Sequence, residues 1–382
     1  MAPDDHATDA AQLGLRRWRR RAAIASGTVA AAALATTVAG GWYYSDELLL
    51  VRAEPPERTV RIVAVTATTV TMVGLDADQP GLVGLEWDGG YARLGADVLR
   101  RGEQVIRSYT PYPDVPVVGA SARTDGYATP VDLGSVSDLD VREISYAGPL
   151  GNYPATYVPA AGARWVIHVH GRTANRAEAY RLFPSIHRMG HPQLSITYRN
   201  DEGAPADPDG EFGLGWTESE DLAAAVLHAR DHGAVDVVLV GYSMGGAVIG
   251  NYLRTDSSEY VAGLVYDSPA LSWPDILAFQ AKDRGLPTIG GFIAGAAVRV
   301  RAGIRLSVMD QVAHADRLDV PVLLIHGTGD ATVPVRSSDA FAAARPDLVT
   351  FVRPDGVGHV RGWNHDPPAY EAAVTGFLAS LP

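Results

Sequence analysis

Val237-Val-Leu-Val240 runs directly into Gly241-Tyr-Ser-Met-Gly245 and then into Gly246-Ala-Val-Ile-Gly-Asn-Tyr-Leu253. The first stretch reads as a buried strand and the last as a helix, with Ser243 on the turn between them. Glycines two residues either side remove the side chains that would collide in so sharp a turn, and the serine hydroxyl is presented above the end of a sheet. The helix that follows aims its amino end, with free backbone N–H groups, at the same spot. A bare Gly-x-Ser-x-Gly is a weak pattern. The strand before it and the helix after it give it meaning.

The flanking sequence repeats the same alternation. Trp165 to His170 is a short buried-strand run, and Asn175 with Glu178 resembles a capping box opening a helix to about Met189. Leu194 to Tyr198 predicts the next strand. Glu218 to His232 predicts a helix with Leu222, Ala225, Val226 and Ala229 on one face. Ala262 to Tyr266, Val320 to Ile325 and Leu348 to Val352 are further apolar strands, most of them followed by a turn and a helix. This is an α/β pattern, a mainly parallel sheet with helices on both faces, whose sites lie at the carboxyl ends of the strands.

A serine hydroxyl needs a base, and the base needs a carboxylate to orient it. Leu323-Leu-Ile-His-Gly-Thr-Gly-Asp330 ends a strand with an aspartate in a glycine-rich loop. Gly356-Val-Gly-His359 places a histidine in another such loop after the last strand. Ser243, Asp330 and His359 stand in the chain order expected for a nucleophile on such a turn. Asp267 and Asp355 are rival acids, and His365 is a rival base. The oxyanion of a tetrahedral intermediate needs two backbone donors. Met244 N–H supplies one, and Ile167-His-Val-His-Gly-Arg172 supplies Arg172 N–H as the other, with Thr173 in reserve. His168 and His170 lack an acidic or cysteine companion at useful spacing, so they read as buried histidines; no metal and no cofactor is expected.

These pieces together resemble the α/β-hydrolase fold over Val141 to Pro382. Within it the chain is similar to the serine-aminopeptidase-like and monoglyceride-lipase-like serine hydrolases, including membrane-anchored ones. The resemblance rests on His170-Gly171, Ile196-Thr-Tyr-Arg-Asn200, Gly241-Tyr-Ser-Met-Gly245, Tyr266-Asp-Ser-Pro269, Gly327-Thr-Gly-Asp330 and Gly358-His359 followed by Trp363. It implies Ser243 as nucleophile, Asp330 as acid and His359 as base. Arg172 stands where many relatives carry a small or apolar residue. A lid is expected over about residues 271–317, where Ile276, Leu277, Phe279, Leu286, Ile289, Phe292 and Ile293 suggest an acyl-binding surface. The carboxylates there, Asp275, Asp283, Asp310 and Asp316, are too dispersed to hold a substrate ammonium, so esters outrank peptides. A peptidase or acyltransferase on the same triad, or a non-catalytic surface-binding module, are the alternative readings.

The amino-terminal third is different. Arg16, Arg17, Arg19, Arg20 and Arg21 precede an uncharged stretch from Ala22 to Ser45 that is closed by Trp42, Tyr43 and Tyr44. That pattern predicts a cytoplasmic basic tail over 1–21 and a transmembrane anchor or export signal over 22–45, contacting the membrane and leaving the body outside the cytoplasm, single-pass or secreted after cleavage. A β-rich accessory segment over 46–138 follows, with short Val/Thr-rich runs and an Asp88-Gly-Gly90 hairpin signal. The catalytic domain then spans 139–382. The whole chain of 382 residues is 47% hydrophobic and has no cysteine, so thiol nucleophiles and disulfides are excluded. Its net charge of −12 argues against a nucleic-acid partner and leaves a small ester or lipid as the expected one.

Overall fold

The structure, a computed structural model, describes residues 16, 18–20, 37–51, 57–130, 132–135 and 137–382. Residues 16, 18–20 and 37–49 are helical, and the stretch 37–49 is labelled α1. Seven strands follow: β1 (Val60–Val65), β2 (Thr69–Gly74), β3 (Val83–Trp87), β4 (Gly90–Leu94), β5 (Leu99–Arg101), β6 (Gln104–Pro111) and β7 (Ser121–Asp125). The second half contains β8 (Arg142–Gly148), β9 (Gly151–Val158), β10 (Arg164–Val169), α2 (Phe183–His187), β11 (Gln193–Ile196), α3 (Glu218–Asp231), β12 (Asp236–Tyr242), α4 (Met244–Tyr252) and β13 (Val261–Asp267). It ends with α5 (Trp273–Asp283), α6 (Ile289–Ala302), β14 (Val322–Ile325), α7 (Val335–Ala344), β15 (Val349–Val352), α8 (Gly362–His365) and α9 (Pro367–Ser380).

The second half forms an eight-stranded sheet in the order β15-β14-β13-β12-β10-β11-β9-β8. Strands β11 to β15 with β10 are parallel, and β9 and β8 complete one edge antiparallel. Alternate residues of β12 feed opposite cores. Val237 and Leu239 pack with Leu222 and Val248 on one face, whereas Val238 and Val240 pack with Phe183 and Val374 on the other. A strand buried on both sides reads as a continuous apolar run, which is why Val237-Val-Leu-Val240 is legible.

The sequence expectation for the amino-terminal third, a transmembrane helix followed by a small β-rich segment, is corrected on both counts. Strands β2-β1-β7-β3-β4-β6 form a ring of antiparallel neighbours that the pairing of β6 with β2 closes, and β5 adds to its outside. This is a closed six-stranded barrel with its own core of Val60, Ile62, Val70, Met72, Val83, Leu85 and Leu94. Closure removes the exposed edges an open sheet of this size would carry. Arg107 is buried in it and donates from Nε to the Gly95 carbonyl at 2.9 Å and from Nη1 to the Gln79 carbonyl at 2.7 Å. Burial lowers its pKa to about 10.

Among the described residues no helix is long and apolar enough to cross a membrane. Residues 22–36 of the expected span lie outside the described residues. Its far end is α1, which packs on protein: Ser45 and Leu49 are fully buried, and Arg301 sits over the Trp42 ring at 4.9 Å. Arg301 also donates to Ser45 Oγ at 2.8 Å and pairs with Asp46 and with Glu211. The aromatic end of the stretch reads as a membrane-interface belt, but Asp46 and Arg301 bind it to α6, and Glu47 faces Arg284 at the end of α5. A Cβ at Gly41 would lie 2.8 Å from Ile293 Cγ2, so glycine lets the two helices approach closely.

The segment between barrel and sheet also belongs to the core. Ala128 and Leu133, with Leu82, Tyr127 and Leu139 beside them, pack against Val360 and Trp363. Removing it exposes that face, at about 1.5–3 kcal/mol for each large side chain uncovered. A chain beginning at Val141 is therefore expected to melt at least roughly 10 °C below one beginning at residue 37. Equal melting temperatures by calorimetry would show that the amino-terminal third is a spacer.

Candidate active site

Ser243 sits between β12 and α4 with φ 50° and ψ −116°, the left-handed side of the backbone map, where a non-glycine residue is strained. The surroundings enforce that conformation. Ser243 N–H donates to the Asp267 carbonyl at 3.0 Å, and its own carbonyl accepts from Ala270 N–H at 2.9 Å. Both glycines of the turn are sterically required. A Cβ at Gly241 would lie 2.7 Å from Ile249 Cδ1, and one at Gly245 would collide with the Val169 carbonyl at the end of β10.

The three residues singled out by the sequence meet at the carboxyl ends of β12, β14 and β15. Ser243 Oγ is 2.9 Å from His359 Nε2, and His359 Nδ1 is 2.6 Å from Asp330 Oδ2. Asp330 Oδ1 accepts from the backbone N–H groups of Thr332 and Val333, both at 2.8 Å. Burial pushes the Asp330 pKa up, but the bonds from His326 and His359 outweigh it and hold the carboxyl well below its usual range. The rivals are engaged elsewhere. Asp267 is buried and accepts from Tyr370 O–H at 2.9 Å and from Ser268 O–H at 3.2 Å. Asp355 accepts from Thr328 O–H at 2.7 Å, and His365 is exposed.

Gly171 closes on the turn: a Cβ there would lie 3.1 Å from Ser243 Cβ. Its N–H donates to Glu178 Oε2 at 2.8 Å, which fixes the backbone just ahead of Arg172. Arg172 and Met244 both line the cavity beside Ser243, and Thr173, with φ 60°, turns the chain away. His168 and His170 do not face a common site. His168 lies 3.3 Å from Gln193 Oε1, and His170 pairs with Asp201 at 2.7 Å and stacks on Tyr198.

A cavity of about 300 Å³ opens over Ser243. Trp273, Ile276, Leu277 and Leu286 form its lid side, with Ala294 from α6. Of the other apolar lid residues, Ile289 and Phe292 point outward and are exposed. The lid is tied to the acid loop by Gln280 Nε2, which donates to the carbonyls of Ala331 and Thr332 at 2.9 and 2.8 Å. Four site residues were not read from sequence. Tyr44 and Leu48 of α1 line the cavity, and Arg172 Nη1 donates to the Glu47 carbonyl at 3.1 Å. His326 Nε2 reaches Asp330 Oδ2 at 3.0 Å while its Nδ1 reaches Ser338 Oγ at 2.7 Å. Asn364 bonds across to the barrel. The Leu323 to Asp330 motif held a signal for His326, because residues four apart across so tight a loop fold back on each other.

No family model matches the chain. It is 26% identical over 208 residues to uncharacterized protein YfhR of Salmonella typhimurium, and equally so to its counterpart in Salmonella typhi. The match covers 52% of this chain and spans 65% of the length of those relatives. The esterase Pf2001 of Pyrococcus furiosus superposes with a TM-score of 0.53 at 20% identity, over 64% of this chain and 92% of its own. A second crystal form of that esterase gives 0.51. The two structural likenesses show the α/β-hydrolase fold over the part of the chain they cover.

Proposed function

We propose that this chain is a serine hydrolase that cleaves carboxylic esters with an apolar acyl group through an acyl-enzyme on Ser243. The observation that carries the reading is the unbroken line Ser243 Oγ, His359, Asp330 on the floor of an apolar cavity. Ser243 Oγ attacks the ester carbonyl as His359 Nε2 takes its proton, and Asp330 stabilises the imidazolium. The N–H groups of Met244 and Arg172 receive the oxyanion. Collapse breaks the acyl C–O bond, and the departing alkoxide takes the proton from His359 Nε2. Water, losing a proton to His359 Nε2, then attacks the acyl-serine carbonyl; the Ser243 Oγ–acyl bond breaks, the carboxylic acid leaves, and His359 returns the proton to Ser243 Oγ.

The cavity walls support an ester over a peptide with a free amino end. Glu47 is the carboxylate in its lining, and it faces Arg284 at 3.8 Å. A volume of about 300 Å³ is at the small end for ligand sites, which favours short and medium acyl groups over long ones. The esterase neighbours agree with this reading. A fluorophosphonate probe on the full chain, followed by peptide mapping and a panel of esters of graded acyl length, tests it. Labelling at Ser243 with turnover that falls for long acyl groups is expected. An unlabelled chain, inert toward every ester, would leave the non-catalytic module standing.

A further inference from the structure

We infer that the six-stranded barrel is a positioning element for His359, acting through Asn364; this rests on the reading of His359 as the base. His359 is followed by Val360, a β-branched residue with φ 52°, which holds that conformation only if its surroundings over-determine it. On one side Ser268 does so, its Oγ accepting from Val360 N–H at 3.0 Å. On the other side the loop runs through Arg361 into α8, a helix of four residues whose Asn364 carbonyl has no intrahelical partner, because Pro368 carries no N–H. The barrel supplies one.

Leu82 N–H donates to the Asn364 carbonyl at 2.8 Å, and Asn364 Nδ2 donates back to the Leu82 carbonyl at 2.6 Å. The same amide nitrogen donates to the Gly126 carbonyl at 2.8 Å, where the chain leaves the barrel. Asn364 Oδ1 accepts from Arg181 Nη1 at 3.1 Å, so both amide protons and the oxygen are used inside a side chain that is 1% exposed. Arg181 also donates to the Gly126 carbonyl at 3.1 Å and lies over the Tyr242 ring, next to the nucleophile, at 5.6 Å. The serine turn, the histidine loop and the barrel exit thus converge on two buried side chains.

The barrel end is built rigid for this task. Buried Arg107 holds the carbonyls of Gln79 and Gly81, the residues just ahead of Leu82, and Gln79 Oε1 accepts from Arg361 at 3.4 Å. Gly81 has φ 82°, and a Cβ there would strike the Asn364 carbonyl. A spacer between an amino-terminal tail and an enzyme has no need of this register. A brace for a strained histidine loop does.

The test uses the full chain with Asn364→Ala, Gly81→Ala and, as a control, Met72→Ala, which weakens the barrel core without touching the contact. Active sites are counted by exhaustive fluorophosphonate labelling. Asn364→Ala and Gly81→Ala should lower kcat per counted site about 10- to 100-fold with KM within about threefold. Met72→Ala should lower the melting temperature and leave kcat per site within twofold. Amide exchange across residues 358–364, which needs no turnover, should quicken at least tenfold in the first two variants and not in the third. Unchanged exchange and unchanged kcat per site in Asn364→Ala and Gly81→Ala overturns the inference. If the wild type neither labels nor hydrolyses while exchange still quickens in the two variants, the hydrolase reading is overturned, and with it the role in positioning a base, while the brace itself stands.

Discussion

Ser243→Ala is expected to lower ester turnover by about 10⁴-fold or more while the chain folds as before. The loss is large because Ser243 Oγ is the hydroxyl bonded to His359 Nε2; the remaining rate comes from binding and the oxyanion donors. Folding survives because the hydroxyl makes one side-chain bond, to His359, and the backbone bonds to Asp267 and Ala270 are untouched. The strain at φ 50° is a second handle. Alanine keeps it, whereas Ser243→Gly relieves it and should be the more stable of the two inactive variants by about 1 kcal/mol. Activity of Ser243→Ala within tenfold of wild type, measured on the best ester of the panel, would remove Ser243 from the mechanism. Equal stability of the alanine and glycine variants would mean the turn is not strained.

Much of this site is legible in the sequence because its parts are local. Gly241 to Gly245 carries strand, turn and helix within a few residues, and Asp330 and His359 each stand in a glycine loop closing a strand. The reading fails where contacts are long-range. Asn364 meets Leu82 across 282 positions, and Arg301 meets Asp46 across 255. Nothing in the neighbourhood of an asparagine in a short helix announces that its amide will be saturated by a distant barrel. The aromatic end of α1 misled for a related reason. Trp42, Tyr43 and Tyr44 suit a membrane interface and a protein groove equally, and the partner that decides, Arg301, is far along the chain. Closure of the barrel was hidden too, since it depends on β2 pairing with β6, a register no single strand encodes.

Asp330→Asn is expected to cost about 10⁴-fold in turnover, and Asp267→Asn less than about tenfold. The Asp330 carboxylate accepts at both ends, two backbone N–H groups on Oδ1 and two histidines on Oδ2. An asparagine cannot turn its NH₂ toward the two backbone donors, so it must face His359 with it. The imidazole then has to accept at Nδ1 and carry its proton on Nε2, the wrong tautomer to deprotonate Ser243. His326 adds to the misfit, since its Nε2 donor would now meet another donor and has to move its proton to Nδ1, toward Ser338. The pH behaviour follows with a definite sign. The folded Asp330 pKa is depressed, so its contribution to stability is present above the unfolded value of about 3.9 and is lost as pH falls below that toward the folded value. Asp330→Asn lacks that acid-dependent loss, so its melting temperature should decline less from pH 5 to pH 3 than that of the wild type. Near neutral pH Asp330 stays ionised, since its pKa is held below the usual carboxylate range, and it goes on orienting His359 there. Asp267 answers differently because burial raises its pKa and its partners are Tyr370 and Ser268, so its loss should appear in the melting temperature first. If Asp267→Asn abolishes turnover with folding intact and Asp330→Asn is mild, the carboxylate one strand earlier orients the base, and the geometry of the loop after β14 serves only to hold the lid through Gln280.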